Sequence, residues 1–282
     1  MSPHPLPPAA ILSEHALSAP VFVERTGIAT IWKVTRQTGE AAALKLYHGE
    51  TMGNEGAGFV YLEALNGAGA ARVFAHGARF AVTEWLPGPS LGDLSRRGED
   101  DTATHTLLTV AQTLHAQPVT PAGTLPKLAD WFGALLKLHI ASGCPATARQ
   151  NLERCRALAG DLLATPQDPR PLHGDLHHDN IRLGARGYCA FDAKGVLGER
   201  AYELANAFRN PKGAPALLRD PDRIRALRDA WSGPFAVPPR RLMQWAAVKC
   251  ALSIAWRSGS DGIRHDDEFD LLAQFLAISE EG

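Results

Sequence analysis

Nine residues at 172–180, "LHGDLHHDN", gather two aspartates, three histidines and one asparagine. A stretch so polar belongs on a working surface rather than in a core. Two chemistries compete for it. His173 and His177 stand four apart, a spacing by which two imidazoles on one helix face hold zinc beside a glutamate base. Here Gly174 breaks the spacing, Pro171 precedes it and no glutamate intervenes, so the helix that a metallohydrolase needs is not expected. His177 and His178 read as loop polarity. The acids fit better. Asp175 and Asn180 are five apart, and Asp192 follows at the end of an expected strand, "YCAFD", with Gly195 just beyond. Phosphoryl transfer from a nucleotide needs a carboxylate to orient an incoming hydroxyl. It also needs hard oxygen donors from two segments to hold Mg²⁺ against the phosphates. Asp175 suits the first role; Asn180 and Asp192 suit the second.

"HGDLHHDN" followed by "FDAKG" resembles the catalytic loop and metal-binding segment of the aminoglycoside phosphotransferase group, within the protein-kinase-like superfamily. The downstream "GERAYELANAFRNP" resembles the streptomycin and hydroxyurea kinase branch. The match is dense over 172–211 and looser elsewhere. Ala193 stands where that branch commonly has proline and Glu203 where it often has aspartate; neither is a metal ligand. The resemblance implies an α+β, two-lobed protein-kinase-like fold. Residues 1–86 would form a small β-rich lobe that binds nucleotide, and residues 87–282 a larger α-helical lobe for catalysis and the acceptor. It implies ATP and Mg²⁺ as cofactors and a small-molecule hydroxyl as acceptor, a streptomycin-type aminoglycoside first. Another alcohol, such as a sugar or amino alcohol, remains open. A catalytically silent binding protein would need one of Lys45, Asp175, Asn180 or Asp192 to be missing, and all are present.

The same resemblance calls for parts in the first lobe. Lys45, in "AALKLY", faces away from Leu44 and Leu46 in a strand and would reach the phosphates. Glu55, on the next helix, is its expected partner, with Glu63 as the fallback. The turn "RTGIAT", with Gly27, would cover the phosphates with backbone N–H groups. No G-x-x-x-x-G-K-[ST] occurs, which excludes a P-loop. The glycines at 49, 53, 56 and 58 read as a mobile entry to the helix. "VTEWLPG" joins the lobes, where main-chain groups of Glu84 and Leu86 would bind adenine. Lys194 either neutralises transferring charge or is a surface lysine. Glu203 and Asn206, on an expected helix after Gly198, would brace the catalytic loop. A polycationic acceptor needs acidic walls, which Asp261, Asp266, Asp267 and Glu268 could supply. Acids at a helix N-terminus are favoured by the macrodipole in any case. Trp256 could line a pocket, although a tryptophan at helical spacing is more often core.

These residues need a scaffold. A strand at 21–25, a hairpin with its tip at Thr38-Gly39 and a strand at 41–47 precede a helix at 54–65. "ARVFAHG" and "RFAVTEWLPG" read as two more strands. Beyond them helical periodicity takes over, at 100–117, "LADWFGALLKLHIA", "ATARQNLERCRALAGDLLA" and around 221–232, 239–257 and 267–279. The chain has 282 residues, 45% hydrophobic, with a formal net charge of -1. That balance argues against nucleic acid or an acidic membrane surface as partner, and no obligate protein partner is evident. The four cysteines, at 144, 155, 189 and 250, form no C-x-x-C pair and read as reduced thiols of a cytoplasmic protein. "MSPHPLPPAA" lacks the regions of a signal peptide and reads as a frayed leader.

Overall fold

In the first third of the chain, alternating side chains build one antiparallel sheet. The computed structural model describes residues 5–116, 118–121 and 123–281. A short helix, α1 (Ala9–Glu14), precedes β1 (Leu17–Arg25), β2 (Ala29–Arg36) and β3 (Ala41–Tyr47). β4 (Val73–His76) and β5 (Phe80–Glu84) complete a sheet of order β1-β2-β3-β5-β4. Period-two alternation gives this sheet two unlike faces. Leu17, Trp32, Val34, Ala42, Leu44 and Val82 bury the outer face under Ile11 and Leu12 of α1. The other face carries Ile31, Ala43, Lys45, Ala81 and Thr83 to a cleft. The Trp32 indole also donates to the carbonyl of Pro5 at 2.9 Å. The expected frayed leader is therefore tied down at the Pro5 carbonyl, although Leu6 stays exposed; residues 1–4 lie outside the described residues.

α2 (Gly56–Leu65) follows a 3-10 turn at Gly53–Glu55. One of the glycines at its entry, Gly58, is fixed by packing. A Cβ on Gly58 would stand 1.8 Å from the carbonyl oxygen of Ala193, so only glycine lets α2 press against the chain just beyond Asp192.

The second part is mainly helical. α3 (Leu91–Arg96), not expected from the sequence, begins with a capping box between Ser90 and Asp93. α4 (Asp100–Leu114) buries Leu107, Val110, Ala111 and Leu114 as its periodicity predicts; Gln117, the expected end, lies outside the described residues. α5 (Leu128–Leu136) and α6 (Ala146–Ala164) follow. Two small strand pairs then frame the polar loop: β6 (Pro169–Leu172) with β9 (Val196–Glu199), and β7 (Ile181–Gly184) with β8 (Gly187–Ala190). α7 (Pro215–Leu218), α8 (Pro221–Ser232), α9 (Pro239–Arg257) and α10 (Phe269–Ile278) close the chain. α9 is buried around most of its circumference and packs against α5, α6, α8 and α10. Among the described residues no helix is long and apolar enough to cross a membrane.

Three local expectations need correction. β8 stops at Ala190, so Asp192 is not a strand terminus; it lies two residues beyond, at a left-handed φ of 60°. Residues 200–209 form two 3-10 turns, Arg200–Leu204 and Ala207–Arg209, rather than an α-helix, with Asn206 between them. Trp256 is 49% exposed, not core.

The β7–β8 hairpin is sewn to the first part along the back of the cleft. Ala71 N–H donates to Ala190 O at 2.8 Å, and Ala190 N–H to Gly69 O at 2.9 Å. Arg186, in the hairpin turn, donates to Gly67 O at 2.6 Å, to Ala70 O at 2.9 Å and to Glu84 Oε1 at 3.1 Å.

Candidate active site

Lys45 is set by register. β3 pairs it with Ile31 of β2 and Ala81 of β5, and the alternation turns its side chain into the cleft. There its Nζ donates to Glu55 Oε2 at 2.6 Å and to Asp192 Oδ1 at 2.7 Å. Lys45 and Asp192, 147 positions apart, thus meet directly. Glu63, the fallback, instead contacts His76 at 3.2 Å. The second oxygen of Glu55 accepts from Lys194 Nζ at 2.6 Å, and Tyr47 OH donates to Oε2 at 2.5 Å. Lys194 is therefore a member of the buried network rather than a free surface lysine.

The charges explain one another. Burial opposes the Lys45 charge, but Asp192 and then Glu55 more than offset it and raise its pKa. Burial would raise Asp192; Lys45 and Lys194 hold it below the ordinary carboxylate value. For Glu55, burial and the like charge of Asp192 push up, and Lys45 and Lys194 outweigh them. Two carboxylates and the Lys45 ammonium thus hold one another in the charged form.

The polar loop at 172–180 is built by β6 leading into Gly174, whose φ is 79°. A Cβ there would also lie 3.0 Å from Trp131. Glu203 ties the loop down: Oε2 accepts from His173 N–H at 2.9 Å and Oε1 from Gly174 N–H at 3.0 Å. His115 meets Glu203 Oε2 at 2.9 Å. His173 is fully buried. Its Nδ1 accepts from Asp175 N–H at 3.3 Å, leaving Nε2 to donate to Phe191 O at 3.0 Å. Both ring nitrogens are engaged, which disposes of the His173–His177 zinc pair. Asp179 is also structural, held by Arg96 at 2.8 Å.

Asp175 is held from two sides. Asn206 Nδ2 donates to Oδ1 at 2.8 Å, and Asn180 Nδ2 contacts Oδ2 at 3.3 Å. Asn180 also donates to the Asp175 carbonyl at 3.0 Å. Asn180 Oδ1 and Asp192 Oδ2 meet no protein donor among the described residues. Phe191 N–H donates to Asn180 O at 2.9 Å, which brings those two segments together. Two hard oxygens left without a donor, on segments joined by that bond, fit Mg²⁺, which takes its other ligands from phosphates and water.

The remaining residues expected to bind nucleotide line one cleft of about 400 Å³ with Lys45, Glu55 and Asp192. Gly27, Glu84 and Leu86 are in its wall; Asp175 and Asn180 are not, and join it through the Phe191 and His173 bonds. The Leu86 amide and carbonyl have no protein partner among the described residues, as adenine binding needs. The Glu84 amide is not free: it donates to Arg72 O at 2.8 Å. In the Gly27 turn, Ile28 and Ala29 N–H groups bond to Thr26 Oγ1 at 3.3 and 3.1 Å, so that turn is largely satisfied from within.

The acidic segment divides. Asp266 is clamped by Arg257 at 2.7 and 2.9 Å. Glu268 takes Arg209 at 2.5 and 2.7 Å and Arg257 at 2.6 Å. As free acidic walls these two are withdrawn: arginine neutralises them. Asp261 forms no ion pair among the described residues and Asp267 has only His265 at 3.9 Å, so both remain available. Sequence reasoning missed His115 and Arg209. Arg209 links Asn206 Oδ1 at 3.1 Å to Ser253 Oγ at 2.7 Å, a bridge between distant segments with no local pattern.

The comparisons decide the family. A model described as aminoglycoside/hydroxyurea antibiotic resistance kinase matches residues 14–262. The chain belongs to that kinase family. It is a phosphotransferase acting on hydroxyl groups of small molecules. The kinase is 36% identical over 212 residues to a streptomycin 3''-kinase of Klebsiella pneumoniae, covering 73% of this chain and 77% of that one. Solved structures share its fold. A choline/ethanolamine kinase family protein from Mesorhizobium loti superposes with a TM-score of 0.64 at 12% identity, covering 96% and 95% of the two chains. A thermostable aminoglycoside phosphotransferase APH(4)-Ia variant, in ternary complex with ADP and hygromycin B, superposes at 0.58 with 14% identity, covering 97% of each.

Proposed function

We propose that this kinase transfers the γ-phosphoryl group of ATP, with Mg²⁺, to a hydroxyl of a streptomycin-type aminoglycoside. The observation that carries the reading is the convergence of Lys45, Glu55 and Asp192 in one cleft with Leu86, with Asp175 and Asn180 joined to it by the Phe191–Asn180 bond. In this reading residues 1–86 hold the nucleotide and residues 87–282 the acceptor. The Leu86 main chain binds adenine, Gly27 and Glu84 line the nucleotide pocket, and Lys45, held by Glu55, contacts phosphate. Asn180 and Asp192 hold Mg²⁺, which neutralises charge on the phosphates when bound. Asp175, fixed by Asn206, accepts the proton of the attacking hydroxyl. The new O–P bond forms as the bond to the bridging oxygen breaks, and ADP leaves. Four free, buried cysteines suit a reducing, cytoplasmic setting.

Streptomycin ranks above an amino alcohol because the 36% likeness extends through sequence, whereas the 12% likeness to the choline/ethanolamine kinase family protein is one of fold. The test is ADP release with streptomycin, other aminoglycosides, sugars and amino alcohols, using Asp175→Asn as the blank. Stimulation by streptomycin, absent in Asp175→Asn, is expected. Full turnover in Asp175→Asn would remove the role assigned to that residue.

A further inference from the structure

Arg209 has no task in the reading above, yet it bonds to the side chain that holds Asp175. It ends the 3-10 turn Ala207–Arg209, and its side chain is only 10% exposed. Nη1 donates to Asn206 Oδ1 at 3.1 Å and to Ser253 Oγ, on α9, at 2.7 Å. Nη2 donates to both oxygens of Glu268, the residue before α10, at 2.7 and 2.5 Å. Arg257 donates to the same carboxylate at 2.6 Å and steadies it. A planar fork gripped from two helices presents its donors in fixed directions.

Asn206 is the group that this fork faces. It is buried, and its amide has an oxygen that only accepts and a nitrogen that only donates, the two ends being alike in size. Shape alone therefore does not choose which end points where. Chemistry does. A guanidinium can only donate, so it takes Oδ1; a carboxylate can only accept, so it takes Nδ2. Nδ2 accordingly donates to Asp175 Oδ1 at 2.8 Å. Turned over, the amide would set its oxygen against the carboxylate and its NH₂ against the guanidinium, leaving four buried polar groups unpaired. Arg209 excludes that state. Asp175 Oδ1 is then the held oxygen. Oδ2, whose hydrogen bond among the described residues is the 3.3 Å contact from Asn180, is the one left to take a proton.

We propose that Arg209 is a positioning residue for phosphoryl transfer: it turns the Asn206 amide so that Nδ2 holds Asp175 Oδ1, and it anchors that amide to Ser253 and Glu268. The inference rests on the kinase reading for the task of Asp175, while the orientation of the amide stands apart from it. A lysine would keep the charge beside Glu268 but has no fork to reach Asn206, Ser253 and Glu268 together. Orientation, rather than charge alone, is what Arg209 supplies.

Two measurements test this. Selective ¹⁵N-asparagine labelling reads the amide directly, the Asn206 side-chain signals being assigned by their absence from Asn206→Ala. Their exchange with solvent should be slow in the unsubstituted protein and about tenfold faster or more in Arg209→Lys. In ADP release with streptomycin, Arg209→Lys should lower kcat by about ten- to a hundredfold, with the KM for ATP within about twofold of normal. In the Asn206→Ala background the same substitution should cost little more, because the amide to be positioned is gone. Ser253→Ala loosens the guanidinium without removing it and should show both effects more weakly. Unaltered Asn206 exchange in Arg209→Lys, or losses in kcat that add fully in the double variant, overturns the proposal. A merely structural role would give such additive losses with a lowered melting temperature. Asn206 exchange that depends on Arg209, in a protein that releases no ADP with any acceptor, upholds the positioning of Asp175 and sinks the kinase reading.

Discussion

Glu203 shows how much a single side chain can organise. It accepts from His173 and Gly174 and meets His115, so the loop before Asp175 is fixed by one carboxylate. Burial works to raise its pKa; the contacts with His115 and His173 outweigh that and bring it below the ordinary 4.5. The sign follows. Its stabilising contribution is complete above that ordinary value and is lost as pH falls through the lower, folded-state value. Urea denaturation should therefore show an acid-side loss of stability that Glu203→Gln reduces. That variant should also cost about 1–3 kcal/mol near neutrality, since one buried donor loses its acceptor. For Asp175→Asn we expect a fall in turnover of about 10²–10⁴ with nucleotide binding retained, measured by ADP release and calorimetry. At this scale the sequence was informative where residues lie close together. Asp175, Asn180 and Asp192 stood in one dense stretch, and Lys45 and Glu55 in another. His115 joins Glu203 across 88 positions, a pairing that only folding creates.

Among the elements, α2 carries the tightest constraint. Gly58 lets it lie against Ala193, and that contact places Glu55 between Lys45 and Lys194. Gly58→Ala should cost about 1–3 kcal/mol through overpacking. It should also raise the KM for ATP, because Glu55 moves with the helix; chemical denaturation and steady-state kinetics read the two effects. Long periodic elements such as α4 and α9 were legible from spacing. α3 was not, because its six residues span too little to show a period. The 3-10 turns at 200–209 were mistaken for a helix because their composition suits either form, and tertiary hydrogen bonds to the catalytic loop decide between them.

For the molecule as a whole, the resemblance carried by forty residues at 172–211 implied two lobes and a cleft, and the fold bears out that architecture. What it could not supply was how the parts join. Mg·ATP at about a hundredfold its Kd should add about 2.7 kcal/mol of stability, a rise of several degrees in Tm. Asp192→Ala should lose most of that rise in a thermal scan, because Lys45 and the ion both lose a partner. The seam made by Ala71, Ala190 and Arg186 bears on how such a ligand enters. Main-chain bonds and a three-way guanidinium grip hold the rear edge shut, so any gaping must swing about that edge like a book about its spine. The Gly27 turn, a part of the cleft wall outside that seam, is then the freer to travel, and nucleotide exchange becomes a matter of how far it lifts.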